Sequence, residues 1–96
     1  MYDLRYMPPA RKYFKKLKDK GLIHAYSEAL IIIATDPYSG ESKTGDLAGI
    51  YSKDVFYSKT NYEIAYKIIE NDDSAVIVIM AGTRENFYDE LKRLIK

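Results

Sequence analysis

The sequence predicts an α+β domain in the order β-α-α-β-β-β-α, with a mainly antiparallel sheet, a helical hairpin and a C-terminal helix. Three observations carry this. An alternating segment at the N-terminus is closed by a double proline, two apolar stripes of helical period follow it, and three β-rich runs precede a last amphipathic stripe. With 96 residues the chain has material for one hydrophobic core, so residues 1–96 are expected to form one domain.

Tyr2, Leu4 and Tyr6 alternate with Asp3 and Arg5, the period of a half-buried strand, and Pro8-Pro9 forbids its continuation. Proline suits a first helical turn. Ala10, Tyr13, Phe14 and Leu17 then fall on one helical stripe, with lysines on the opposite face. Gly21 is expected as the residue just past this helix. Leu22, Tyr26, Ala29, Leu30 and Ile33 form a second stripe that runs to Asp36-Pro37, so the two helices should pair as an antiparallel hairpin. From Pro37 to Gly49 the composition is that of a connecting loop. Tyr51 to Ser58 is rich in β-formers, Tyr62 to Glu70 alternates, and Ala75 to Ala81 is continuously apolar, as a central strand would be. Asn71 to Ser74 has turn chemistry that joins the last two runs as a hairpin. Phe87, Leu91, Leu94 and Ile95 give the third helical stripe, with Thr83 as its expected N-cap.

Composition narrows the function. The chain is 47% hydrophobic and 30% charged, a globular mixture, and it has no cysteine, which suits a reducing compartment. The N-terminus lacks the apolar core of a signal peptide, and the apolar stretch from Ala29 to Ala34 is far too short to span a bilayer, so a cytoplasmic protein without a membrane partner is expected. Net charge is only +1, but Arg5, Arg11, Lys12, Lys15, Lys16, Lys18 and Lys20 crowd the first twenty residues, so one end is a basic surface.

No glycine-rich phosphate loop, dinucleotide fingerprint or cysteine pair is present, and His24, the single histidine, makes neither a metal site nor a two-histidine ribonuclease, so neither metal nor cofactor is expected. Ten tyrosines stand out, and Tyr51, Tyr57, Tyr62, Tyr66 and Tyr88 fall in or beside the expected sheet. Such rings serve either as amphipathic core or as stacking platforms for RNA bases.

The segments Gly45-Asp46-Leu47-Ala48-Gly49-Ile50-Tyr51, Asn61 to Ile68 and Ala81-Gly82-Thr83-Arg84-Glu85-Asn86-Phe87-Tyr88 together resemble the landmarks of the RelE/ParE toxins of bacterial toxin–antitoxin pairs, in order and spacing across almost the whole chain. That resemblance implies the small RelE-like fold and a ribosome-dependent mRNA endonuclease that inhibits translation. Its implied partners are the ribosome and mRNA and a cognate antitoxin that wraps around it, with promoter DNA reached only through that antitoxin. RNA cleavage of this kind needs a group to take the 2′-hydroxyl proton and a cation for the charge developing on phosphate. By resemblance, Arg84 grips phosphate and Tyr88, four residues on and on the same face if the segment is helical, stacks on a base or transfers a proton. Lys53 joins them as a catalytic candidate. Lys43, Lys59, Tyr57 and Tyr62 become candidates for RNA contact, and Lys15 and Lys16 for ribosomal RNA. Position 63 departs from the pattern: many relatives carry arginine there and this chain has Glu63, which is then a candidate general base. Two further readings share the fold, a ParE-like toxin that inhibits DNA gyrase without cutting RNA and a degenerate toxin acting as corepressor with its antitoxin.

Overall fold

The computed structural model describes residues 1–95. Strand β1 (Asp3–Tyr6) leads into helices α1 (Pro8–Lys16) and α2 (Lys20–Thr35), then a two-residue strand β2 (Glu41–Ser42), then β3 (Tyr51–Tyr57), β4 (Thr60–Ile69), β5 (Ala75–Thr83) and helix α3 (Phe87–Leu94). The five strands form one sheet in the order β1-β5-β4-β3-β2. Its pairs are antiparallel except β1 with β5, which runs parallel because the chain returns to β1's side only after crossing the rest of the sheet. The predicted class and element order hold. β5 is the inner strand its apolar run predicted, hydrogen-bonded on both sides, while β1 and the added β2 form the edges.

The sheet carries a cluster on each face. On one, Ala10 of α1 and Leu22, Tyr26, Ala29 and Ile33 of α2 pack on Val55, Ile64, Tyr66, Val76 and Val78. The two helices meet through Tyr13 and Phe14 of α1, whose rings stand edge-on to Tyr26 at 5.7 and 5.1 Å. On the other face, Phe87 and Leu91 of α3 join Leu47, Ile50, Ala65, Ile79 and Met80. An irregularity in the β4–β5 ladder separates the two sets: Ala65 pairs with Met80 but Tyr66 pairs with Val78, so Ile79 is an extra residue. Before this bulge even-numbered residues of β5 face the helical hairpin. After it they face α3.

Several local expectations are corrected. Gly21 does not follow α1; that helix ends at Leu17, whose φ of −66° and ψ of 133° are extended, and Gly21 lies in the first turn of α2. The residue that starts α2 is Asp19, whose carboxylate accepts from the backbone N–H of Gly21 and Leu22 at 3.0 and 3.2 Å, an N-cap contributing about 1 kcal/mol. Gly21 leaves room for the Tyr57 phenol: a Cβ there would stand 2.2 Å from its hydroxyl oxygen and would displace it from Asp19. Thr83 is not an N-cap but the end of β5, and α3 is entered through Asn86 at a left-handed φ of 57°. Leu94 and Ile95, expected on the buried stripe, are 39% and 37% exposed: α3 ends at Leu94, and its buried residues are Phe87 and Leu91. The expected loop from Pro37 to Gly49 contains β2 and two short 3-10 turns.

At the end of the sheet away from α3's start, the hydroxyls of Tyr2 and Tyr38 both donate to Glu70 Oε2, at 2.7 and 2.5 Å. These bonds hold the Glu70 carboxyl below its ordinary value, Tyr38 first and Tyr2 second, and the same carboxylate pushes Tyr38 up to about 12. A carboxyl depressed in the folded state contributes stability above its unfolded pKa and loses it as pH falls through the folded one; a raised phenol contributes below about 10 and loses it as pH rises toward about 12. Thermal unfolding midpoints should therefore fall at both pH extremes. Glu70→Gln is expected to reduce the dependence on both limbs, and unchanged limbs would show that the clip adds nothing.

Candidate functional site

On the α3 face, four separate segments converge. Glu63 sits in the first half of β4, paired across the sheet with Gly82 of β5 on one side and Asp54 of β3 on the other. Its side chain is 1% exposed. Oε1 accepts a hydrogen bond from the Tyr88 hydroxyl, while Oε2 is buried without a hydrogen-bond partner. The Arg84 Nε lies 3.5 Å from that oxygen, an ion pair too long for a good hydrogen bond. A buried carboxylate is tolerated only when paired. Here a phenol and a guanidinium share the task, and the guanidinium side chain keeps 60% of its surface exposed.

Arg84 and Tyr88 come together for a reason other than helical spacing. Arg84 precedes α3: its N–H donates to the Asn61 carbonyl at 3.2 Å, its own carbonyl accepts from Phe87 N–H, and left-handed Asn86 turns the chain so that Tyr88 enters in the first turn of the helix. Buried Phe87 stands edge-on to Tyr88 at 5.4 Å and holds that turn against the sheet. From the far side, the Lys43 ammonium lies 4.7 Å above the centre of the Tyr88 ring and is hydrogen-bonded to Glu41. Partial burial works to lower the Lys43 pKa, but Glu41 and the Tyr88 phenol outweigh it and hold it above its ordinary value; Glu41 is correspondingly lowered by Lys43. The site thus holds two ion pairs, Glu41 with Lys43 and Glu63 with Arg84, with the neutral Tyr88 phenol between them and the second apolar cluster beneath.

Of the residues singled out in the sequence, the structure gathers Glu63, Arg84, Tyr88 and Lys43. Lys53 pairs with Ile64 and alternates with Asp54, which places it on the sheet's other face beside α2. Tyr62 and Tyr57 are on that face too. Tyr62 stands edge-on to Tyr26 at 5.8 Å, and the Tyr57 hydroxyl donates to Asp19 at 2.9 Å. Lys15 and Lys16 are exposed at the end of α1. Lys59, with Ser58, forms the two-residue β3–β4 turn, both at positive φ of 63° and 50°. His24 is exposed on α2, 3.3 Å from Glu28. Sequence reasoning missed Glu41 and Asp54; the only signal for Glu41 was its two-residue spacing from Lys43, which in an extended segment puts both side chains on one side. Among the described residues no three histidine, cysteine or acidic side chains cluster to hold a metal, and no helix is long and apolar enough to cross a membrane.

A carboxylate-held phenol next to an exposed guanidinium can bind an anion and move a proton beside it. Comparison with known proteins gives a matching family model and solved structures of similar fold. The family model described as ParE-like toxin of type II bacterial toxin–antitoxin system matches residues 4–92. Solved structures of similar fold include the toxin–antitoxin complex RelBE2 from Mycobacterium tuberculosis, at TM-score 0.67 and 22% identity over 86% of this chain and 98% of that one. A double arginine-to-alanine mutant of the Escherichia coli toxin RelE in the free state aligns at TM-score 0.70 and 22% identity, over 96% of each chain. The same mutant in complex with a peptide of the antitoxin RelB aligns at TM-score 0.67 and 20% identity, over 94% of this chain and 93% of that one. No curated protein matches the chain.

Proposed function

The chain belongs to the ParE-like toxins of type II bacterial toxin–antitoxin systems, and from that premise we propose that it is an endoribonuclease that cuts mRNA on the ribosome, needs no metal, and is neutralised by a cognate antitoxin. One observation carries the reading: an exposed guanidinium, Arg84, stands beside a phenol, Tyr88, whose hydroxyl is bound to a buried carboxylate. Cleavage by the neighbouring 2′-hydroxyl requires a cation on the phosphate and a proton acceptor at the attacking oxygen, leaving a 2′,3′-cyclic phosphate and a 5′-hydroxyl. Arg84 supplies the first and the Tyr88 end of the site supplies the second. Lys43 adds positive charge at the rim. The basic end of α1, with Lys15 and Lys16, and the exposed turn at Lys59 are contact points for RNA away from the scissile bond. The antitoxin partner is supported by the two similar structures that contain RelB-type antitoxins, and promoter DNA is reached only through it. The toxin acts in the cytoplasm, where its message is.

Primer extension on mRNA from a reconstituted translation reaction tests this. Discrete cuts that require ribosomes and carry 5′-hydroxyl ends are expected. Intact message with normal translation would overturn it. A second reading, a toxin that inhibits DNA gyrase without cutting RNA, is favoured by the three carboxylates Glu41, Asp54 and Glu63 around the site, which oppose phosphate binding. DNA damage with uncut message would support it.

A further inference from the structure

We infer that Glu63 is a specificity-determining residue: its buried carboxylate competes with RNA phosphate for Arg84, so that the site rejects RNA in free solution and accepts only message held in place by further contacts. This rests on the nuclease reading. An arginine grips phosphate best as an unpaired cation offering two parallel hydrogen bonds. Arg84 is exposed over 60% of its side chain, but it is not unpaired, because its Nε lies 3.5 Å from Glu63 Oε2. That oxygen has no hydrogen-bond partner and the other is taken by the Tyr88 hydroxyl, so the guanidinium is what faces the charge on Oε2. The second cation gathered here, Lys43, is bound to Glu41, and only 16% of its side chain is exposed. Phosphate arriving at this face therefore meets two cations that each already have a carboxylate.

The distance separates two roles that a carboxylate can have beside an arginine. Orienting a guanidinium takes a hydrogen bond of good length, and 3.5 Å is too long for one. Coulomb attraction falls only as the inverse of distance, and it is weakly screened for a carboxylate that is 1% exposed. The field on Arg84 therefore survives where the orienting bond does not. Since Nε is the atom turned to Glu63, a phosphate is left the Nη end of a guanidinium whose charge is already offset. A short RNA that relies on this end gains little there. Message fixed elsewhere, by the ribosome or at Lys15, Lys16 and Lys59, brings its phosphate to Arg84 without relying on Arg84 for affinity. The negative charge on phosphate then grows during cleavage while the charge on Glu63 stays constant, so Arg84 acts more on the transition state than on the bound message.

The test is equilibrium binding of the full chain to a short, fluorescein-labelled single strand of 2′-O-methyl RNA, which cannot be cut, across a series of salt concentrations. Glu63→Gln is expected to bind about tenfold more tightly than the wild type, the gain from freeing one charge-assisted contact, and its log K against log salt should steepen by about 0.7, the slope of one more phosphate contact on a single strand. Both gains should disappear when Arg84→Ala is added. Asp54→Asn removes the same charge from the residue opposite Glu63 in the sheet while leaving the ion pair of Arg84 intact, so a gain well below that of Glu63→Gln is expected. Removing Glu63 strands no buried charge, because Arg84 stays solvated. If Glu63→Gln nevertheless fails to fold, Glu63→Met fills the volume without charge, and the same gains are expected. Binding unchanged or weaker in the folded variant, a gain that survives Arg84→Ala, or an equal gain from Asp54→Asn would overturn the inference. Message left uncut on ribosomes by the wild type would overturn the nuclease reading, and the binding series, which needs no cleavage, is judged apart from it.

Discussion

Replacing Arg84 by alanine is expected to lower message cleavage by about 10²–10³-fold, the usual effect of removing one charged group aimed at a developing negative charge. Toxicity on induced expression should vanish with it. The same change also has a folding cost that its exposure alone would not suggest. Arg84 is 60% exposed, yet its Nε is the cation nearest the hydrogen-bond-free Oε2 of buried Glu63. Alanine leaves that oxygen uncompensated, at a cost of about 1–3 kcal/mol. The two effects separate in the double variant Arg84→Ala with Glu63→Gln: stability should recover and cleavage should not. Urea unfolding and primer extension read them independently. Full toxicity in the single variant would remove Arg84 from the site, and a double variant less stable than the single would show that the pairing is not the source of the folding cost.

Phe87→Ala is expected to be the most destabilising single change at the site, about 3–5 kcal/mol for a buried phenylalanine. Phe87 is 1% exposed and anchors α3 together with Leu91. A chain of this length has roughly 5–15 kcal/mol to lose, so the urea midpoint should drop by a large fraction. Because Tyr88 enters the site from the turn that Phe87 pins, cleavage should fall even under conditions where the variant remains folded. A conservative Phe87→Leu, which keeps most of the apolar volume, should restore much of the stability. If Phe87→Ala lost stability but kept the wild-type rate while folded, Tyr88 would be held by its bond to Glu63 alone.

The order of elements, both helical stripes, the inner apolar strand and the β4–β5 hairpin were all legible in the sequence, because each follows from a local period or a turn that a few neighbouring residues determine. The resemblance in the segments ending at Tyr51, Ile68 and Tyr88 pointed to Arg84 and Tyr88, and the structure brings both to one place. What the sequence could not contain was parity. The continuous run from Ala75 to Ala81 looks the same with or without an extra residue, yet the bulge at Ile79 decides that Met80 and Gly82 share a face with Glu63. For the same reason Lys53 and Glu63 both look like site residues one strand apart, and register puts them on opposite faces. Gly21 has the local signature of a helix end, and only the approach of Tyr57 from a distant strand shows that its role is to leave room. Glu63 was visible as a departure at a single position; that its carboxylate is buried, holds a phenol and faces a guanidinium comes from α3 folding over the sheet. Local periodicity determined which elements this protein has, while long-range register and packing decided which side chains face one another, since those depend on residues far apart in the chain.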